Sequence, residues 1–325
     1  MLSPLPPAGT LEKEKRGSTM NVREWALPVY TILMQLATGS MLILWILRWR
    51  ASSRFNPAEM DRIIRNPLLV IVITAIVAMG SAHFHLSRPL YSFYAVRNFQ
   101  HSWLSREIIS TIFFFLTLLA LWLISLFKQE YRKLITVLGW VDITIGFSMV
   151  YCMARIYMIP TQVAWNSPTV IPSFYATTLL LGTMAIACLL ILDLKFAEIQ
   201  KADDVEVRMQ VFKYSLIWLV SVAFVAVVID MGLSFYQIYY LSLGDQIAHL
   251  SLQLLFQLYT PLLILRFICI LVAPLWMGYA VYKMYKSGIA PQGLIVPVYM
   301  SCLLILIGEI IGRFLFYATH IRIGL

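Results

Sequence analysis

Eight times along this 325-residue chain an apolar run long enough to cross a lipid bilayer recurs, at about 26–47, 67–86, 107–127, 134–157, 172–194, 212–233, 260–282 and 294–318. A spanning helix needs roughly 20 mostly apolar residues. In hydrocarbon every backbone N–H and C=O must find its partner within the structure, so runs of this kind become helices. The expectation is an all-α membrane protein, a bundle of about eight transmembrane helices. Composition agrees: 60% of the residues are hydrophobic and 13% charged, with mean hydropathy +0.79, where soluble domains carry roughly 25% charge. A soluble globule is excluded. Between the runs, Arg48 to Arg65 is polar, Lys128 to Lys133 short and basic, and Lys195 to Arg208 of mixed charge. Segment 234–259 interleaves Tyr236, Tyr239, Tyr240 and Leu250 with Gln237, Asp245, Gln246, His249 and Gln253, the pattern of an amphipathic interfacial helix.

Residues 1–19 are Pro-rich and charged and lack an apolar core, so they read as a disordered extension rather than a secretory signal. Met20 is then a candidate natural start, and 20–325 the transmembrane domain. The distribution of Lys and Arg sets the expected orientation, because basic residues collect in the inner loops. Inner loops would hold Arg48, Arg50, Arg54, Arg62 and Arg65, then Lys128, Arg132 and Lys133, then Lys195, Lys201, Arg208 and Lys213, then Lys283 and Lys286. Both termini then lie outside. The net charge of +9 reads as topology and contact with anionic lipid. No basic stripe with interleaved aromatics supports a nucleic-acid partner.

On that topology the ionisable residues within the runs gather at one depth. His83 and His85 close the second run, Glu107 opens the third and Arg155 ends the fourth. Asp230 ends the sixth, Arg266 opens the seventh, and Glu309 and Arg313 lie in the last turns of the eighth. Each such group costs about 2.5–3.5 kcal/mol at a helix centre on insertion scales, so each needs a partner or a purpose. Simpler roles exist for single members. The arginines can snorkel to headgroups, Glu309 and Arg313 are spaced to pair along one helix face, and Gly308 with Gly312 makes a small-x-x-x-small contact surface. His83 and His85 point about 200° apart, so one site takes one of them. Asp142 and Asp193 read as interfacial, and Trp25, Trp103 and Trp165 as belt residues. The shared layer of His, Glu, Arg and Asp is what points to function. Such a layer suits quinol oxidation: a base takes a hydroxyl proton and arginine stabilises the anion formed. The expected quinol-binding residues are His85, Glu107, Arg155, Arg266, Glu309 and Arg313. The four cysteines, Cys152, Cys188, Cys269 and Cys302, form no C-x-x-C pair and have no histidine at ligand spacing, so no metal site is expected.

Several blocks carry a resemblance: Glu24-Trp25, then Gln35 with Gly39; His85-Leu86-x-x-Pro89-x-x-x-Phe93 followed by Ser102-x-Leu104-Ser105-x-Glu107-Ile108; Arg155-Ile156-Tyr157; Arg266; and Gly308-Glu309-Ile310-Ile311-Gly312-Arg313 leading to Phe316-Tyr317 and His320. With these the chain resembles the membrane-anchor subunit of the dimethyl sulfoxide reductase family of molybdenum oxidoreductases, over most of its length from Glu24 onward. The resemblance implies eight helices with both ends outside, no haem, and oxidation of menaquinol in anaerobic respiration. It places His85 and Glu107 in the quinol site as the catalytic pair. Electrons would pass to an iron–sulfur subunit and on to a molybdopterin catalytic subunit, so the clusters and molybdopterin belong to partners and this chain does not act on the terminal substrate. The implied location is the cytoplasmic membrane of a bacterium or archaeon. Ser87 and Arg88 depart from the small residues that follow the histidine in the family, and the loop after Tyr157 carries its own Pro160 and Asn166. A polysulfide-reductase-type quinone anchor is the nearest alternative. A secondary transporter, the alternative from another class, would show midplane polar groups and an internal repeat, and neither is apparent.

Overall fold

A computed structural model of the chain describes residues 22–85, 94, 96–128, 130–287 and 291–321. The expected extension over residues 1–19 lies outside the described residues. Among the described residues there are ten α-helices and no strand: α1 (Val22–Ala51), α2 (Pro57–Ile63), α3 (Arg65–His85), α4 (Trp103–Phe127), α5 (Arg132–Tyr157), α6 (Val170–Gln200), α7 (Val205–Ser242), α8 (Gln246–Gln257), α9 (Thr260–Ser287) and α10 (Ile295–Ala318). Eight spans are long and apolar enough to cross a membrane: α1, α2 running into α3, α4, α5, α6, α7, α9 and α10. The chain is a multi-pass membrane protein.

Helix starts follow from local chemistry. Ser102 caps α4 by accepting from Ser105 N at 3.3 Å, and Asn56 caps α2 by accepting from Ala58 N at 3.0 Å, with Pro57 in the first turn. Each side chain satisfies one of the amide donors that a helix start leaves open. Segment 234–259 is divided differently from the expectation: residues up to Ser242 belong to α7, and only Gln246–Gln257 forms the short amphipathic helix. Gly232 by itself does not stop α7. The break waits for Gly244 and for Asp245, whose carboxylate accepts from Ala248 N at 3.0 Å and starts α8.

The spans form two rings of four. In one, α1 packs on α3, α3 on α4, α4 on α5 and α5 on α1; in the other, α6 packs on α7, α7 on α9, α9 on α10 and α10 on α6. The rings join along α1 and α6, the most deeply buried spans. That seam is built on two glycines: a Cβ added to Gly39 would overlap the Thr178 carbonyl, and one added to Gly182 would overlap the Gly39 backbone. The lipid-facing sides of α4, α5, α7 and α9 expose large apolar residues such as Phe113, Val137, Val225 and Ile268.

One end of the bundle is basic, and several of its arginines are tied down by carboxylates. Arg48 reaches Asp61 at 2.9 Å and Thr136 at 2.9 Å, and Arg132 lies 3.3 Å from Asp61. Arg208 pairs with Asp193 and, at 2.9 Å, with Asp204, while Asn66 donates to Asp193 at 2.6 Å. Asp204, at the mouth of α7, is held below the usual carboxylate range chiefly by its hydrogen bonds from Arg208. Asp193 thus sits at the basic end as expected, but Asp142 is not interfacial. Ten residues into α5, about 15 Å along it, Asp142 is fully buried and accepts from Thr117 Oγ1 at 2.5 Å. The short α4–α5 turn starts α5 at once and carries Asp142 inward, where a threonine of the neighbouring helix is its partner.

Gly39→Ala or Gly182→Ala forces backbone apart at the seam and should cost ~3 kcal/mol, seen as a lower thermal midpoint of the purified protein in detergent; an unchanged midpoint would show that the rings do not meet this closely. The Asp204 link to Arg208 is present above the unfolded aspartate value of about 3.9 and is lost as pH falls through the lower folded value. Amide exchange in the α6–α7 loop should therefore quicken below about pH 4, and Asp204→Asn should show the faster exchange at neutral pH.

Candidate functional site at one end of the bundle

At the end opposite the basic cluster, α4 turns a stripe of Glu107, Thr111, Phe114, Leu118 and Leu121 inward, at the four-and-three spacing of a buried helix face. Glu107 is 5% exposed. The Tyr30 hydroxyl of α1 lies 2.8 Å from Thr111 Oγ1, one turn along α4 from Glu107. Among the described residues no cation comes within salt-bridge distance of Glu107. His85 is the last residue of α3, which packs on both α1 and α4; its side chain lies outside the described residues. His83 is exposed, with Nδ1 2.8 Å from the Met79 carbonyl, and it turns away from this corner.

Arg155, half-buried at the end of α5, lies over the Trp103 ring with 5.0 Å to its centroid, and its Nη1 is 3.6 Å from Met158 Sδ. It therefore lies against the start of α4. Its Nε is buried without a described partner.

Arg266, Glu309 and Arg313 come together elsewhere, in the second ring. They line a cavity of about 150 Å³ among α6, α7, α9 and α10, with Ser251 and Leu255 of α8 also in its wall. Arg266 donates to Asp230 Oδ2 at 2.8 Å and to Ser234 Oγ at 3.1 Å. Glu309 accepts from Thr177 Oγ1 at 2.7 Å through one oxygen, while its other oxygen has no described partner. The i,i+4 pairing of Glu309 with Arg313 does not occur. Arg313 instead lies on the Phe174 ring, 4.0 Å from its centroid, and donates to Gln35 Oε1 at 2.6 Å. Gln35 in turn donates to the Phe174 carbonyl at 2.8 Å, so one amide ties α1, α6 and α10 together. Gly308 and Gly312 do face a neighbouring helix: a Cβ on Gly312 would stand 2.6 Å from Arg266 Nε.

Between the Glu107 corner and this cavity stands an aromatic wall. The Tyr157 and Tyr317 hydroxyls are 2.5 Å apart, Trp165 Nε1 donates to the Phe316 carbonyl at 2.7 Å, and the His320 ring stacks on Trp165 with centroids 4.5 Å apart. Trp165 is thus a buttress of the site end, not only a belt residue. Tyr30, Thr111, Thr177 and Ser234 were not recognisable as site residues from sequence. They are hydroxyl residues on apolar helices, and only a knowledge of which helices touch separates them from the many threonines that bond their own backbone.

Asp230 and Arg266 form a buried pair that needs both members. Asp230→Asn should lower stability by about 3–5 kcal/mol through the uncompensated guanidinium, and Asp230→Leu with Arg266→Met should recover most of it. The thermal midpoint of each purified variant checks this, and equal losses in the single and double variants would contradict it.

Comparison with known proteins gives a consistent picture. The family described as DMSO reductase anchor subunit (DmsC) matches residues 20–319. The protein is 27% identical over 307 residues to the YnfH chain of anaerobic dimethyl sulfoxide reductase of Escherichia coli strain K12, covering 93% of this sequence and 96% of that one. It is 25% identical over 311 residues to a chain of the anaerobic dimethyl sulfoxide reductase of Haemophilus influenzae, covering 94% and 99%. A shorter match of 79 residues, 34% identical and 24% of each sequence, links it to a subunit of the sulfite dehydrogenase of Allochromatium vinosum.

Proposed function

Because the chain belongs to the DMSO reductase anchor subunit family, whose members work in complex with catalytic oxidoreductase subunits, we propose that it binds and oxidises menaquinol in anaerobic respiration. Its electrons go to an iron–sulfur partner and from there to a molybdopterin subunit. The observation that carries this reading is the Glu107 carboxyl, buried at one end of the bundle beside the Tyr30 and Thr111 hydroxyls with no described cation against it. A carboxyl held there is costly to the fold. It is well placed to accept a proton from a bound hydroxyl.

In this reading the quinol ring enters the corner of α1, α3 and α4 from the lipid. One hydroxyl hydrogen-bonds Glu107, and the other is taken by His85 at the end of α3. Two electrons leave for the partner as the two O–H bonds break, and the two residues receive the protons. Tyr30 and Thr111, bonded to each other at 2.8 Å, wall the corner beside the Glu107 carboxyl, while Arg155 steadies the start of α4 through Trp103.

The site end faces outward in this proposal, with both termini outside and the Arg48, Arg132 and Arg208 clusters inside, following the preference of basic residues for the inner face. The membrane is the cytoplasmic membrane of a bacterium or archaeon. A phosphatase fused after Leu325 should be active in the exported compartment; an inactive phosphatase together with a fluorescent cytoplasmic reporter at the same position would reverse the orientation.

His85→Ala and Glu107→Gln, each assayed in the complex with its partners, should cut quinol-dependent turnover by about 100-fold or more. Turnover driven by reduced viologen, which feeds the partner subunits directly, should stay near the wild-type rate. A parallel fall in both activities would show that the two residues serve assembly instead.

A further inference from the structure

The cavity in the second ring shares no lining residue with the Glu107 corner, and its chemistry is that of a binding site rather than a packing fault. Among its walls Glu309 is 3% exposed and keeps one carboxyl oxygen without a described partner, while Arg266 keeps its Nε–H without one. One is an acceptor and the other a donor, and the two residues are neighbours: Gly312 follows Glu309 by three residues on α10, and Arg266 Nε lies where a Gly312 side chain would begin. Native structures rarely leave such atoms unmade, because each costs about 1–3 kcal/mol when buried. The absence of a side chain at 312 is what lets the Arg266 guanidinium lie directly against α10 beside Glu309.

The remaining walls narrow the ligand. The wall carries two carboxyl and two guanidinium groups, Asp230 and Arg266 already paired at 2.8 Å, so its formal charges balance and it suits a neutral occupant. Val170, Phe174, Leu233, Leu263, Leu315 and Phe316 supply an apolar surface opposite the polar atoms, which suits the face of a ring. A mostly apolar pocket with a few convergent polar groups is the usual form of a small-molecule site. The group that fits both walls is a flat ring bearing oxygen that both accepts and donates: a hydroxyl to Glu309, or a carbonyl from Arg266.

We propose that this cavity binds the oxygenated ring of a quinone or quinol, as a site separate from the Glu107 corner. The identity of the ligand rests on the proposed function; the position does not. The two sites are mechanically joined, since Arg313 in the cavity wall is held by Gln35 of α1, and the Tyr157–Tyr317 pair bridges the rings beside it.

Photolabelling of the purified complex with an azido-naphthoquinone, followed by mapping of the labelled peptides, tests this. The expected result is label on the cavity-lining segments of α6, α9 and α10 as well as on the α3–α4 end. Glu309→Gln and Gly312→Ala should each cut the cavity label by about tenfold, roughly the loss of one good hydrogen bond, and leave the α3–α4 label unchanged. Gly312→Ala drives a methyl group against Arg266 Nε, Cζ and Cδ, and Thr177→Val, which removes the hydroxyl that Glu309 accepts from without touching α9, is the second variant should either of the others fail to assemble. His85→Ala should do the reverse. Label confined to α3 and α4, or cavity label indifferent to all three variants, would overturn the inference. Label on the cavity alone would uphold it and move the quinol site away from His85 and Glu107, whereas no specific label anywhere would sink both readings.

Discussion

The two rings can share a seam because Gly39 and Gly182 have no side chains. In lipid, helices gain little from burying apolar surface against one another, since acyl chains are as apolar as leucine, so close packing of backbones must supply the attraction. At this seam α1 lies against α6 so tightly that a single methyl at either glycine would meet main-chain atoms. Everything at the site end is referred to these two spans. Tyr30 and Gln35 project from α1, Phe174 and Thr177 from α6, and each meets a side chain or carbonyl carried by another helix.

Bilayer chemistry then explains why the polar groups form closed sets. A guanidinium in a low-dielectric bundle is costly unless most of its donors or its face are engaged, and the protein meets this in several ways. Arg208 takes two carboxylates, Arg266 a carboxylate and a hydroxyl, Arg313 an amide and an aromatic face, and Arg155 an aromatic face and a thioether. Several buried polar atoms are left without a described partner, and three of them, on Ser251, Arg266 and Glu309, belong to residues that line the same cavity. The free Glu309 oxygen and the Arg266 Nε mark places where a ligand would complete what the protein leaves open.

The division of the polar layer into two places has a consequence for how an anchor of this family works. The first ring holds Glu107 and the end of α3, the second holds the cavity, and Gln35, Arg313, Tyr157 and Tyr317 lie between them. The two places share α1, which carries Tyr30 toward the first and Gln35 toward the second.

Helix number, the lipid-spanning character and the gathering of charge at one end were all legible in the sequence, because hydrophobic length and the cost of charge in hydrocarbon act on each segment independently of its neighbours. So was the Gly308 and Gly312 contact face, whose spacing is local. Which charges meet was not legible. Glu309 and Arg313 have the spacing of a pair yet take Thr177 and Gln35, and Asp142, read as interfacial, is buried against Thr117. Gly39 and Gly182 lie far apart in the chain, and nothing local announces that they touch. The sequence by itself determined how many times the chain crosses lipid and that most of the ionisable groups within its spans gather toward one end, though not the depth of Asp142. Only the tertiary structure decided which helices are neighbours, and with that the separation of Glu107 from Arg266, Glu309 and Arg313, because side-chain partners in a bundle are set by the rotation and adjacency of whole helices.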